Sequence, residues 1–142
     1  MKTEYRLIER APTVAEFFEL RDAVGWGTGD QDAYEKGLEN SLYSVCAVLG
    51  DEIVGTARVV GDGNICFYVQ DVIVKPEHQQ SGIGRALMER VMDYVAENAC
   101  LGAVVGMMVA KGREPFYERF GFWARPNEKY GPGMMQFWRE FE

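Results

Sequence analysis

Apolar residues recur along this chain with two different periods, and each change of period marks a change of element. Val14, Phe17, Phe18, Leu20 and Val24 fall at helical spacing. Thr13 precedes them with Glu16 three places on, a capping-box pattern, so a helix is predicted over residues 13–24. Gly25-Trp26-Gly27-Thr28-Gly29 breaks it, and Asp30 then caps a second helix through Leu38. A short strand over residues 5–8 stands before both.

The middle of the chain reads as a β-meander. Strands are predicted over residues 43–49, 53–60 and 65–74, joined by Gly50-Asp51 and by the hairpin signal Gly61-Asp62-Gly63-Asn64. Lys75-Pro76 ends the third, because proline supplies no ladder donor. From Gly82 the helical period returns with Ile83, Leu87, Val91, Tyr94 and Val95, to about residue 97. Residues 103–109 are wholly apolar and short enough for a buried strand. A brief helix over 113–120 ends at Gly121, and residues 122–123 and 135–141 would be the last strands, around the loop 126–133. The order β, α, α, three β, α, β, α, β, β predicts one mixed α/β domain over 1–142, with a largely antiparallel sheet and one crossover helix.

Composition adds bounds. A chain of 142 residues is long enough to bury a real core. Fifteen basic against 22 acidic residues give a net charge of −7, which disfavours nucleic acid and anionic membrane and suits cationic partners such as amines. Cys46, Cys66 and Cys100 show no metal spacing and sit among apolar residues, so they read as buried free thiols in a reducing cytosol. No metal is expected. The charged start MKTEYRLIER has no apolar signal core, and no apolar run approaches the ~20 residues that cross a bilayer. The expected location is cytoplasmic.

The stretch QQSGIGRALM, residues 79–88, places a glycine pair where the meander gives way to a helix. A helix start exposes unpaired N–H groups and the positive end of the macrodipole, and glycines admit close backbone approach. A pyrophosphate could therefore lie against the amides of Gln80, Ser81, Gly82, Ile83, Gly84 and Arg85, with the Gln79 and Arg85 side chains at the rim. A Walker loop fails, since Arg85-Ala86 follows where Lys-Ser/Thr is needed. A dinucleotide fingerprint is weakened by Leu87 and by the preceding meander. The pattern Gln/Arg-x-x-Gly-x-Gly/Ala matches Gln79 to Gly84.

With VIVKPEHQQSGIGRALM and FYERFGF (Phe116 to Phe122), the sequence resembles the GNAT superfamily of N-acetyltransferases, and the element order agrees over essentially the whole chain. The resemblance implies a GNAT fold with a mostly antiparallel sheet of six to seven strands and about four helices. It implies that Gln79 to Gly84 wraps the pyrophosphate of acetyl-CoA. Val72, Ile73 and Val74 would offer backbone groups to the pantetheine arm in a splay between two strands. Without a ligand, Val72 to Val74 would be sheet core, and Ile83 and Leu87 are core on either reading.

Tyr117 matches the family's tyrosine that faces the thioester sulfur, which makes it the expected general acid; the plain alternative is an aromatic packing its short helix. Asp71, the lone carboxylate between Phe67 and Val74, is a candidate base, equally readable as a structural acid paired with a backbone group or cation. Some relatives carry a glutamate where this chain has Tyr68, or one on the following strand, where residues 104–109 hold no acid. Many carry an asparagine where Ala110 stands.

Trp26, Tyr34, Trp123, Phe137 and Trp138 would line an aromatic slot or serve as core. Lys111, Glu114 and His78 read as solvated or helix-start residues. The expected activity is direct acetyl transfer from acetyl-CoA to a primary amine, with a small-molecule acceptor favoured and a homodimer compatible. The alternatives are a non-catalytic acyl-CoA sensor and a protein lysine or N-terminal acetyltransferase.

Overall fold

The computed structural model describes residues 4–139. Five strands, β1 (Arg6–Ile8), β2 (Tyr43–Leu49), β3 (Glu52–Gly61), β4 (Cys66–Val74) and β5 (Val104–Met107), form one sheet in chain order. The helices are α1 (Val14–Ala23), α2 (Gln31–Glu39), α3 (Ile83–Asn98) and α4 (Glu114–Glu118), with a 3-10 turn at Pro76–His78. Strands β1 to β4 pair antiparallel, and β5 joins β4 in parallel after the α3 crossover. This is the mixed α/β architecture the element order implies.

Local chemistry accounts for the helix boundaries. The Thr13 hydroxyl accepts from the Glu16 N–H at 3.1 Å while the Glu16 carboxylate accepts from the Thr13 N–H at 2.9 Å, so the predicted capping box is formed. Asp30 caps α2 by accepting from the Ala33 N–H at 2.8 Å. Helix α3 buries Ile83, Leu87, Met88, Val91 and Val95 against the sheet. Gly55 makes that approach close: a Cβ there would stand 3.0 Å from the Ile73 carbonyl and 3.2 Å from Leu87. The α1–α2 pair contributes Val14, Phe17, Leu20 and Leu38 to a cluster with Cys46, Val48, Ile53 and Ile73 of the strands.

Three expectations require correction. Residues 122–123 and 135–139 pair in no strand ladder, so the described residues hold five strands rather than six to seven; residues 140–142 lie outside the described residues. Pro126 stands three residues after the first stretch and Pro132 three before the second, leaving little room for a ladder to start. The apolar run 103–109 is a strand only over Val104–Met107, at the sheet edge, where Val104 is 65% exposed instead of buried. Of the cysteines only Cys46 is buried; Cys66 opens β4 beside its turn and Cys100 follows α3, and both are exposed.

The chain packs as two compact units that divide after Met107. The first holds the sheet with α1, α2 and α3; the second holds α4. Among the described residues no helix is long and apolar enough to cross a membrane, and no cluster of metal-ligating side chains occurs.

Candidate active site

The first unit carries a break in its sheet at the middle of β4. Ile73 pairs with Thr56 and Gln70 with Arg58, so Asp71 and Val72 together oppose Ala57. This bulge puts Asp71 at φ 58°, a left-handed conformation that aspartate tolerates better than most side chains. A bulge bends the strand, and here the bend coincides with the end of the β5 ladder. Strand β5 pairs only with Cys66, Phe67, Tyr68 and Val69. From Gln70 to Val74, β4 has a ladder partner on its β3 side alone among the described residues. The β5 side of Val72, Ile73 and Val74, where a splay is expected, thus has no ladder partner among the described residues, and the Val74 carbonyl is met by the Gln79 side chain. Ile73 itself is buried core, while Val72 and Val74 are half-buried.

The edge leads into the glycine loop. Gln80 and Gly82 adopt left-handed conformations, φ 64° and 90°, and Gly82 occupies the N-cap of α3. No side chain caps this helix start and no acid stands in its first turn, so its leading N–H groups keep their donor capacity. Gly84 lies within the helix and needs no unusual φ; its value is the missing side chain. Ser81 donates to the His78 carbonyl and the Gln79 side chain donates to the Val74 carbonyl at 3.0 Å, which closes the loop from strand to helix. Arg85 pairs with Glu89 one turn on, at 3.0 Å, on an exposed face. Ile83 is buried, so only its backbone can serve a ligand. The backbone present fits a pyrophosphate: exposed donors, no acid in the first turn of α3 and a left-handed glycine, with the Arg85 side chain shared with Glu89.

Asp71 is nine per cent exposed and its carboxylate is engaged. Arg58 Nε donates to Oδ2 at 2.8 Å, and Arg21 Nη1 stands 3.8 Å from Oδ1. Arg58 Nη1 also reaches the Ser41 hydroxyl at 3.1 Å. Arg21 donates from Nε to the Gly27 carbonyl at 2.8 Å and from Nη2 to the Trp26 carbonyl at 3.1 Å, inside rings of Phe17, Trp26 and Tyr34. Both guanidiniums border a cavity of about 260 Å³ between α1, α2 and the bulge. Neither arginine is singled out by motif or period. The available signal was chemical: Arg58 is the lone charge in the run 53–60, opposite a strand whose lone carboxylate is Asp71.

In the second unit, Tyr117 is buried on α4 with its ring edge-on to Phe116 at 4.9 Å. Burial pushes its phenol above the ordinary value, against a smaller downward pull from Arg113. Its hydroxyl makes no hydrogen bond to another described residue. Trp123, Phe137 and Trp138 are exposed, 58%, 61% and 75%, so they are not core, and Trp26 at 44% is only partly covered. Tyr34 alone of the expected aromatics borders the cavity. Lys111 and Glu114 are exposed, and His78 is half-buried in the 3-10 turn.

Comparison with known proteins places these features in a family. Residues 8–122 match the Acetyltransferase (GNAT) family. An uncharacterised ycf52-like N-acetyltransferase of Prochlorococcus marinus is 28% identical over 121 residues, covering 82% of this chain and 66% of that protein. The chain spans between 50% and 70% of the curated relatives it resembles. The structure of SA2161 from meticillin-resistant Staphylococcus aureus superposes with a TM-score of 0.86 at 28% identity, covering 95% of this chain and 100% of that one. The GNAT family acetyltransferase SP0256 of Streptococcus pneumoniae gives 0.76 at 28% identity, covering 96% and 100%. The bulged β4, its open edge and the glycine loop after it thus belong to a chain that is a member of the GNAT acetyltransferase family.

Proposed function

We propose that this protein transfers an acetyl group from acetyl-CoA to the primary amine of a small molecule, directly and without an acetyl-enzyme. The observation that carries this reading is the open edge of β4 from Gln70 to Val74, continuous with the uncapped start of α3. An extended, amide-bearing arm can add to that edge as a strand would, and its pyrophosphate can meet the N–H groups from Gln80 to Arg85. Acetyl-CoA supplies the activated thioester. No cysteine falls in either motif, so attack by the amine itself is the simpler course.

Tyr117 is the residue we assign as general acid toward the leaving sulfur. A phenol of pKa ~10 and a thiol of ~8.5 make complete proton transfer uphill by roughly 2 kcal/mol, and burial widens that gap. The raised value keeps the phenol protonated, so it can donate a hydrogen bond that strengthens as sulfur gains charge. Asp71 was a candidate for the amine's proton. Its carboxylate already accepts from Arg58, and a base would have to give up that bond. We therefore assign Asp71 the positioning of Arg58 and send the amine's proton to water.

The deciding assay measures thiol release from acetyl-CoA against a panel of amines, with acetylated product identified by mass. Amine-dependent release supports transfer. Tight CoA binding with no amine raising release above hydrolysis would make the protein an acyl-CoA sensor instead.

A further inference from the structure

The cavity between α1 and α2 has the opposite sign to the chain as a whole. The chain carries −7, yet the cavity is bordered by two guanidiniums, Arg21 and Arg58, and by one carboxylate, Asp71. Its remaining walls, Phe17, Ala33, Tyr34, Gly37, Leu38 and Gln70, carry no charge. The arginine side chains are each only 18% exposed, so the surplus positive charge is largely withdrawn from water. Removing a charge from water without a partner is costly, and such a charge favours an incoming anion. Donors remain to receive one. Arg58 Nη2 has no hydrogen bond to a described residue, and Arg21 Nη1 reaches Asp71 only at 3.8 Å. The aromatic rings and the carbonyls of Trp26 and Gly27 hold Arg21 in place, which preorganises that donor face.

We infer that the acceptor amine also carries an anionic group, a carboxylate or a phosphate, and that Arg58 and Arg21 bind this group in the cavity. This rests on the acetyltransferase reading and specifies its substrate class. An ammonium would meet a net positive wall here, and the only carboxylate is already paired. The volume, about 260 Å³, lies near the lower end of ligand sites at roughly 300 Å³, which suits one anionic group with a few carbons. The overall acidity, which favours cationic partners, is thus reversed locally.

The test compares kcat/KM at saturating acetyl-CoA for β-alanine and O-phosphoethanolamine against ethanolamine and ethylenediamine at constant ionic strength. In parallel, the Arg58 and Arg21 guanidinium signals of the CoA-bound protein are followed by NMR as each compound is added. The expected result is a preference of at least about tenfold for one anionic amine, with saturable shifts of the Arg58 signal by that compound. Which of the two wins separates carboxylate from phosphate. Arg58→Gln should erase the preference; Arg58→Lys, which keeps the charge beside Asp71, should reduce it and serves if the first variant fails to fold. Acetylation without anionic preference and without a shift of the arginine signals overturns the inference and leaves the acetyltransferase standing. If no amine draws thiol release, the acetyltransferase reading falls, and the assignment of an anion to its acceptor falls with it.

Discussion

Arg58 Nε donates to Asp71 Oδ2 at 2.8 Å across the β3–β4 pair, tying the bulge in β4 to the wall of the α1–α2 cavity. The Asp71 side chain is 5% exposed, so removing its charge strands Arg58. Asp71→Asn retains a residue that tolerates the left-handed backbone and deletes only the charge. It should destabilise the protein by about 3 kcal/mol in urea unfolding. Combined with Arg58→Gln, the loss should be smaller than the sum of the two, because neither charge is then left alone. Additive losses would show that the bond contributes no coupling.

Gly82 has a conformational role at the start of α3. At φ 90° a side chain is strained, although the space around its Cβ position is open, with the Tyr5 hydroxyl 4.0 Å away as the nearest group. Gly82→Ala should therefore cost about 1 kcal/mol of stability. Gly82→Val should abolish CoA binding, as branching blocks approach of the pyrophosphate. Calorimetric titration with CoA checks this, and unchanged affinity for Gly82→Val would refute the cradle.

Tyr117→Phe should lower kcat by roughly a hundredfold while leaving the CoA dissociation constant nearly unchanged. Burial raises the phenol's pKa, so the acid form persists through neutral and mildly alkaline pH. Wild-type kcat should fall only above the ordinary tyrosine value of ~10, and the variant should lack that alkaline limb. An equal drop in affinity would mean that the ring serves packing.

The capping box makes a separate prediction about acid. The Arg10 guanidinium, hydrogen-bonded to Glu16, holds that carboxyl below its ordinary range, helped by the Thr13 N–H. A depressed folded value stabilises the protein above the unfolded pKa of about 4.3, and that stabilisation is lost as pH falls through the folded value. Thr13→Ala should cost about 1 kcal/mol at neutral pH. Glu16→Gln should flatten the loss of stability between about pH 5 and 3, measured by urea midpoints.

The helices and the meander were legible because each rests on local chemistry. Thr13 with Glu16, Asp30, and the turn Gly61–Asn64 set boundaries within a residue or two. The glycine loop was legible for the same reason. Period and composition did not reveal the bulge at Asp71, since burial keeps alternating along β4 straight through it. The Arg58–Asp71 pair was hidden by sequence distance, and the two residues meet only because β3 and β4 pair. The last expected strands do not form: Phe122-Trp123 and Met135, Phe137 and Trp138 carry apolar side chains, but the described residues give them no ladder.

Backbone amide hydrogen exchange, with and without CoA, reads the proposed cofactor contacts residue by residue. CoA bound as proposed should slow exchange at Val72 to Val74 on the unpaired edge of β4 and from Gln80 to Arg85 at the start of α3. Saturating CoA that leaves both segments unchanged would contradict that binding mode.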